Sequence, residues 1–212
     1  METFVQSAIY FHAFTGMIAL VSGTAVILFK KGSALHKKIG KVFYLTMTLS
    51  ALSSILIAWL PNHQNLFLFS IGVFTLYMLI TGYSALRFKQ NPHPTRLDYL
   101  NAITMLSFGI GMVFGPLFFY GKLHPVGGVL GLGGTLFAVR DILLYRSPER
   151  LKKGWLKLHV GKTVGSFISA VTAFVVVNQY IPGLWGWFAP GTIGGLYITY
   201  WMFRLNRRPS SF

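Results

Sequence analysis

Histidine is the side chain through which this 212-residue sequence could carry metal or redox chemistry. There are six: His12, His36, His63, His93, His124 and His159. The chain has no cysteine and only four carboxylates, against 19 lysines and arginines. Without cysteine there are no disulfides, thiolate metal sites or cysteine nucleophiles. Neutral imidazole remains, and it ligates haem iron, copper and zinc well. The histidines fall at the ends of apolar runs, with His12, His63 and His124 predicted on one side of a membrane. His36, His93 and His159 are predicted on the other.

The elements that must position them are membrane spans. Hydrophobic residues make up 53% of the chain and charged residues 11%, less than half the usual charged share of a globular domain, which is about a quarter. A hydrocarbon core needs about 20 apolar residues of helix, and seven runs of about that length are readable. They cover approximately residues 8–29, 39–60, 66–86, 99–120, 125–145, 160–180 and 187–203. Lipid offers no partner to a free backbone group, so such runs are helices or barrel strands. Barrel strands are about 10 residues long and alternate in polarity, which these runs do not. The expectation is one all-α domain over residues 1–212: a polytopic membrane protein of seven transmembrane helices in contact with the lipid bilayer.

Charge sets the orientation. Seventeen of the 19 basic residues fall in or beside the first, third and fifth connections or after the last span. Lys162 is counted here as flanking the fifth connection, and Arg208 among those after the last span. Basic loops stay in the cytoplasm, which places the N-terminus outside and the C-terminus inside a bacterial inner membrane. The net charge of +15 therefore belongs to loops, and no nucleic acid partner is expected. The first run is not a cleavable signal, because its basic residues follow it.

A faint internal repeat is visible. His12-Ala-Phe-Thr-Gly16 opens the first span as His124-Pro-Val-Gly-Gly128 opens the fifth, and His36-Lys-Lys-Ile-Gly40 is matched by His159-Val-Gly161. Residues 8–88 would then repeat as 124–208, joined by the span at 99–120, in a 3+1+3 parallel arrangement about an axis along the membrane normal. Under that symmetry His12 faces His124 at the outer level and His36 faces His159 at the inner one. Each pair would suit the axial positions of haem b, with Gly16, Gly40, Gly128 and Gly161 giving a flat macrocycle access. The competing reading of each histidine is an interfacial or hydrogen-bonded residue. His63 and His93 have no repeat counterpart and read as surface residues.

Arg140 and Asp141 are acid–base neighbours within the fifth span. Adjacent helical residues do not face each other, so each must find its partner elsewhere. Arg140 is either a haem propionate or anionic-substrate partner, or a snorkelling side chain. Asp141 would then pair with a loop lysine. No span holds paired carboxylates, which argues against a carboxylate proton chain. The last span has no lysine for a retinal Schiff base. Gly131-Leu-Gly-Gly134 lies inside an apolar run and is no phosphate loop.

Two stretches carry a resemblance. One runs from His12 through Gly16, Gly23, Lys31-Gly32-Ser33, His36 and Gly40 to Phe43. The other holds Trp155, His159, Ser166, Ala170-Val-Thr-Ala-Phe174 and Asn178. Together they resemble the bacterial membrane proteins called domain of unknown function 2306. The resemblance implies a polytopic membrane protein and draws notice to His12, His36 and His159, but it supplies no activity. Three functional expectations stand side by side. The first is an electron carrier with haem b on His12, His124, His36 and His159, exchanging electrons with a quinone or another redox partner. The second is a small-molecule transporter with the 3+1+3 layout of sugar-efflux carriers of the SWEET type, although their Pro-Gln signature is missing. There Arg140 or Asn101 would contact the substrate. The third is an accessory subunit of a respiratory complex. Copper or zinc on the same histidines is a further variant.

Overall fold

Seven α-helices are seen in the computed structural model, which describes residues 2–123 and 125–207; His124 and Arg208 lie outside the described residues. They are α1 (Glu2–Leu28), α2 (Ala34–Ile57), α3 (Leu66–Ser84), α4 (Arg96–Tyr120), α5 (Pro125–Tyr145), α6 (Pro148–Val177) and α7 (Leu184–Asn206), with a short 3-10 turn at Arg87–Lys89. No strand occurs among the described residues. Six of the helices, α1 to α6, are long and apolar enough to cross a membrane. The seventh has the length but not the sustained apolarity, because Gly183–Gly195 carries glycines and Pro190 through its first half.

The connections are short and chemically marked. Ser33 caps α2, its hydroxyl accepting from the His36 N–H at 3.1 Å. Asn65 caps α3 by accepting from Leu68 N–H at 3.1 Å. Before α4, the N–H and hydroxyl of Thr95 both donate to Asp98 Oδ2, at 2.6 and 2.8 Å, and Arg87 also pairs with this carboxylate. Proline opens α5 and α6, at helix starts where its missing N–H costs nothing.

Short loops bring successive helices together, and two rings of four result. One is α1, α2, α3 and α6; the other is α3, α4, α5 and α6. The helices α3 and α6 are common to both, and α7 packs on the flank of α6. The central position of α3 shows in its burial: 61% of its most apolar window is inside the protein, against 22–33% for the other five apolar helices. The outer helices instead turn large apolar side chains outward, among them Phe14, Met17, Val21, Phe114, Phe118 and Leu136. That is the surface a lipid-embedded bundle presents.

The pairings differ between the two halves of the expected repeat. The helix α1 lies along α2, whereas α5 packs chiefly on α4 and meets α6 only over a short stretch. The helix α3 packs along α6, whereas α7 does not touch α2. Small residues explain the α4–α5 pair: a Cβ on Gly109 would lie 2.8 Å from the Gly131 carbonyl oxygen, and one on Gly131 would lie 2.7 Å from that of Gly109. Two backbones thus touch where neither residue has a side chain, the close approach that small residues permit between membrane helices.

Candidate functional site

Three ionisable side chains from three helices meet inside the second ring. Lys162 of α6 donates from Nζ to Asp141 Oδ2 of α5 at 2.5 Å and to the Tyr77 hydroxyl of α3 at 2.6 Å. Tyr77 in turn donates to the same Asp141 oxygen. The relative exposures are 2% for Tyr77, 1% for Asp141 and 6% for Lys162, so this is a core ion pair and not a surface one. The ammonium also lies over the Tyr77 ring, 4.2 Å from its centroid, and 5.0 Å from that of Phe137. Ring faces are favourable surroundings for a desolvated cation.

By hydropathy alone Lys162 stands beside a loop, because its apolar run starts at Val160. The helix in fact starts at Pro148. The basic turns carrying Arg150, Lys152, Lys153 and Lys157 are its first turns, which makes Lys162 the fifteenth of its 30 residues. Asp141 does find a lysine, but one in the bundle core and not in a loop. Arg140, its chain neighbour, is exposed.

Polar side chains continue from this centre towards the basic end of the bundle. Asn101 of α4 donates to the Tyr77 carbonyl at 3.2 Å and to the Thr81 hydroxyl at 3.0 Å. The buried Tyr145 hydroxyl faces Thr81 without closing a well-aligned hydrogen bond, one turn from Asp141 and within electrostatic reach of Asp98 and Arg87. Thr81 and Asp98 are themselves buried, at 1% and 3% exposure. In the opposite direction the centre meets Phe74, Met78, Met105 and Ala138, with Val73, Leu106 and Leu130 behind them.

The histidines occupy the other ring. His12 is the eleventh residue of α1, well inside it, and not at its end. Its Nδ1 is 2.9 Å from the Ser50 carbonyl oxygen of α2, with the Ser50 and Ser53 hydroxyls at 3.2 and 3.3 Å. His159 is the twelfth residue of α6, and its Nδ1 is 2.8 Å from the Gly82 carbonyl oxygen of α3. His36 stands in the first turn of α2, its ring facing the Val26 carbonyl at the end of α1 without closing a well-aligned hydrogen bond at Nδ1. His36 and His159 are within electrostatic reach of each other, on helices that lie diagonally across the first ring and whose backbones do not meet. A Cβ on Gly40 would meet nothing within 4 Å, and one on Gly161 only Met202 Cε at 3.9 Å. Deeper in, Phe43 and Phe167 close the ring, edge to face at 6.2 Å between centroids. The helices bearing His12 and His124 in the sequence reading, α1 and α5, do not touch. His63 and His93 are exposed loop residues. Three or more His, Asp or Glu side chains do not gather into a metal-binding group among the described residues.

The fold and these sites define a class: a polytopic helical membrane protein with a charged core. Compared with protein-family models, curated proteins and solved structures, the chain matches none.

Proposed function

We propose that this chain is a proton-coupled small-molecule transporter of a bacterial cytoplasmic membrane, with Asp141, Lys162 and Tyr77 as its proton-handling residues. One observation carries the reading: a lysine–aspartate pair joins α5 to α6 in the core of an apolar bundle, with a tyrosine of α3 bonded to both. Well-packed apolar side chains would serve stability at least as well as a buried ion pair. Ionisable groups at membrane depth characteristically mark ion and substrate pathways. A proton on Asp141 would convert the carboxylate to an acid and leave the Lys162 cation without its counter-charge. Because α5 meets α6 only briefly, that change would loosen the α5–α6 seam, leaving α4 and α5 to move on their contacts with α3. Movement of one helix group against another is what alternating access requires.

The test is current recording from proteoliposomes on a solid-supported membrane. Pools of sugars, amino acids and organic acids would be applied under an imposed pH gradient. One pool is expected to give a transient current in the wild type that disappears in Asp141→Asn. If no pool gives a current above that of the variant, the reading fails.

A second reading, a haem b electron carrier, is favoured by a separate observation. In metal-bound histidines the second ring nitrogen usually donates to a carbonyl or carboxylate. His159 and His12 both hold Nδ1 against a backbone carbonyl, which leaves Nε2 to ligate. The donor types at the inner level suit haem: His36 and His159 would hold the iron, and the open faces of Gly40 and Gly161 border them. Bound haem would supply one-electron exchange with a quinone or another redox partner. The residues of the chain would fix the imidazole orientations and, through Phe43 and Phe167, close off the apolar interior. Arg140 stands on α5, a helix of the other ring. Expression with ample haem should yield a Soret band that His159→Ala abolishes. A colourless wild type would sink this reading and leave the transporter reading intact.

A further inference from the structure

We infer that the Lys162–Asp141–Tyr77 centre exchanges its proton with the aqueous phase at the basic-loop end of the bundle and is sealed from the other side. The inference rests on the proton-handling reading above and adds its direction. Polar groups are distributed unevenly about Asp141. Towards the basic loops, the Tyr145 hydroxyl comes one turn later on the same helix, next to Thr81. The Thr81 hydroxyl accepts from Asn101, which stands one turn from Asp98 on α4. Asp98 is tied to Arg87, whose side chain is 40% exposed. Buried hydroxyls thus stand between a charged surface pair and the core carboxylate, with the Tyr145 ring packed among Ala85, Phe88, Ala102 and Leu151. A hydroxyl can accept a proton on one lone pair and donate its own, so Tyr145 and Thr81 are suited to relay one.

Away from the basic loops the pattern reverses. Phe74, Met78, Met105 and Ala138, all under 9% exposed, pack directly against Tyr77. Beyond them lie the buried hydroxyls of Ser70 and Thr135, which, like that of Tyr145, close no hydrogen bond among the described residues. The charged and titratable groups around the centre are Tyr77 on α3, Arg87 in the 3-10 turn, Asp98 on α4, Arg140 and Tyr145 on α5, and His159 on α6. Apart from Tyr77 and Arg140, each sits nearer the basic end than Asp141 and Lys162 do. The balance of the step is simple: hydronium gives one proton to the Asp141 carboxylate and becomes water, and release to the opposite side waits on the helix movement that opens the bundle there.

Dicyclohexylcarbodiimide tests this, because it adds to a protonated carboxyl in an apolar setting and leaves a stable adduct. The chain has four carboxylates, so peptide mapping assigns the adduct directly. Wild-type protein would be reconstituted in vesicles, with orientation scored by trypsin cleavage at Lys152 and Lys153. The pH would then be set separately inside and outside. Asp141 labelling is expected to rise by up to about tenfold per pH unit of acidification on the basic-loop side, and to ignore the pH opposite. Labelling that follows the opposite side, or both sides, overturns the inference and spares the proton-handling reading. No Asp141 adduct at any pH overturns both. Tyr145→Phe keeps the ring and removes the relay hydroxyl. It should slow the response to basic-side pH while leaving thermal stability near the wild type, and an unchanged response overturns the proposed route.

Discussion

Asp141→Asn should lower the stability of the folded bundle by about 3–5 kcal/mol, the usual cost of stranding one member of a buried ion pair. The reason lies in the surroundings of Lys162. Lys162 is 6% exposed and its ammonium bonds Asp141 and Tyr77 among the described residues, so losing the carboxylate charge leaves a cation with a phenol and two ring faces. Lys162→Met should cost a similar amount by stranding Asp141. The double variant Asp141→Leu with Lys162→Met should recover most of the loss, since apolar replacement of a whole buried pair is often neutral or stabilising. Thermal unfolding in detergent would give the order. A double variant no more stable than either single variant would show that the pair is not coupled. The same double variant should be inactive in transport, which separates the structural part of the pair from its functional part.

A second large effect is expected where α4 crosses α5. Gly131→Ala should destabilise by about 1–3 kcal/mol, the cost of overpacking. The added methyl meets the Gly109 carbonyl oxygen at 2.7 Å and Met112 Cβ at 2.9 Å, and backbone on a facing helix cannot swing aside. Gly109→Ala presses on Gly131 and Thr135 in the same way. The control is Gly111→Ala on the exposed face of α4, where nothing lies within 4 Å. There alanine should be neutral or gain from its better helix propensity, by up to about 1 kcal/mol. Equal behaviour of Gly111 and Gly131 in unfolding experiments would rule out the close crossing.

The spans were legible because six apolar runs of sufficient length have no other use in a chain this poor in charge. Their ends were not. The helix α1 begins at Glu2 and α6 at Pro148, where polar and basic turns continue a helix that hydropathy alone cannot follow. That extension moved His12 and His159 away from helix ends, and it hid Lys162, which reads as an interfacial anchor beside Val160. Asp141 did signal itself as a carboxylate within an apolar run that needed a partner. Tyr77 gave no such signal, because it lies 64 residues from Asp141 and 85 from Lys162. Only the packing of α3 against α5 and α6 brings them together. The repeat rested on spacing, whereas helix pairing is decided by surfaces such as the Gly109–Gly131 contact.

The central place of α3 carries a consequence for how the protein is made. Its neighbours on both sides include α6, which is completed roughly ninety residues after α3 ends, about 5–20 seconds of chain elongation at ordinary rates. For more than half of that time Tyr77 has neither Asp141 nor Lys162, and the buried serines and threonines of α3 face whatever surrounds the nascent chain. The early hairpin of α1 and α2 can cover one side of it. The other stays open until α4, α5 and α6 arrive, so biogenesis has to hold an unfinished, polar-faced helix in reserve at the translocation site.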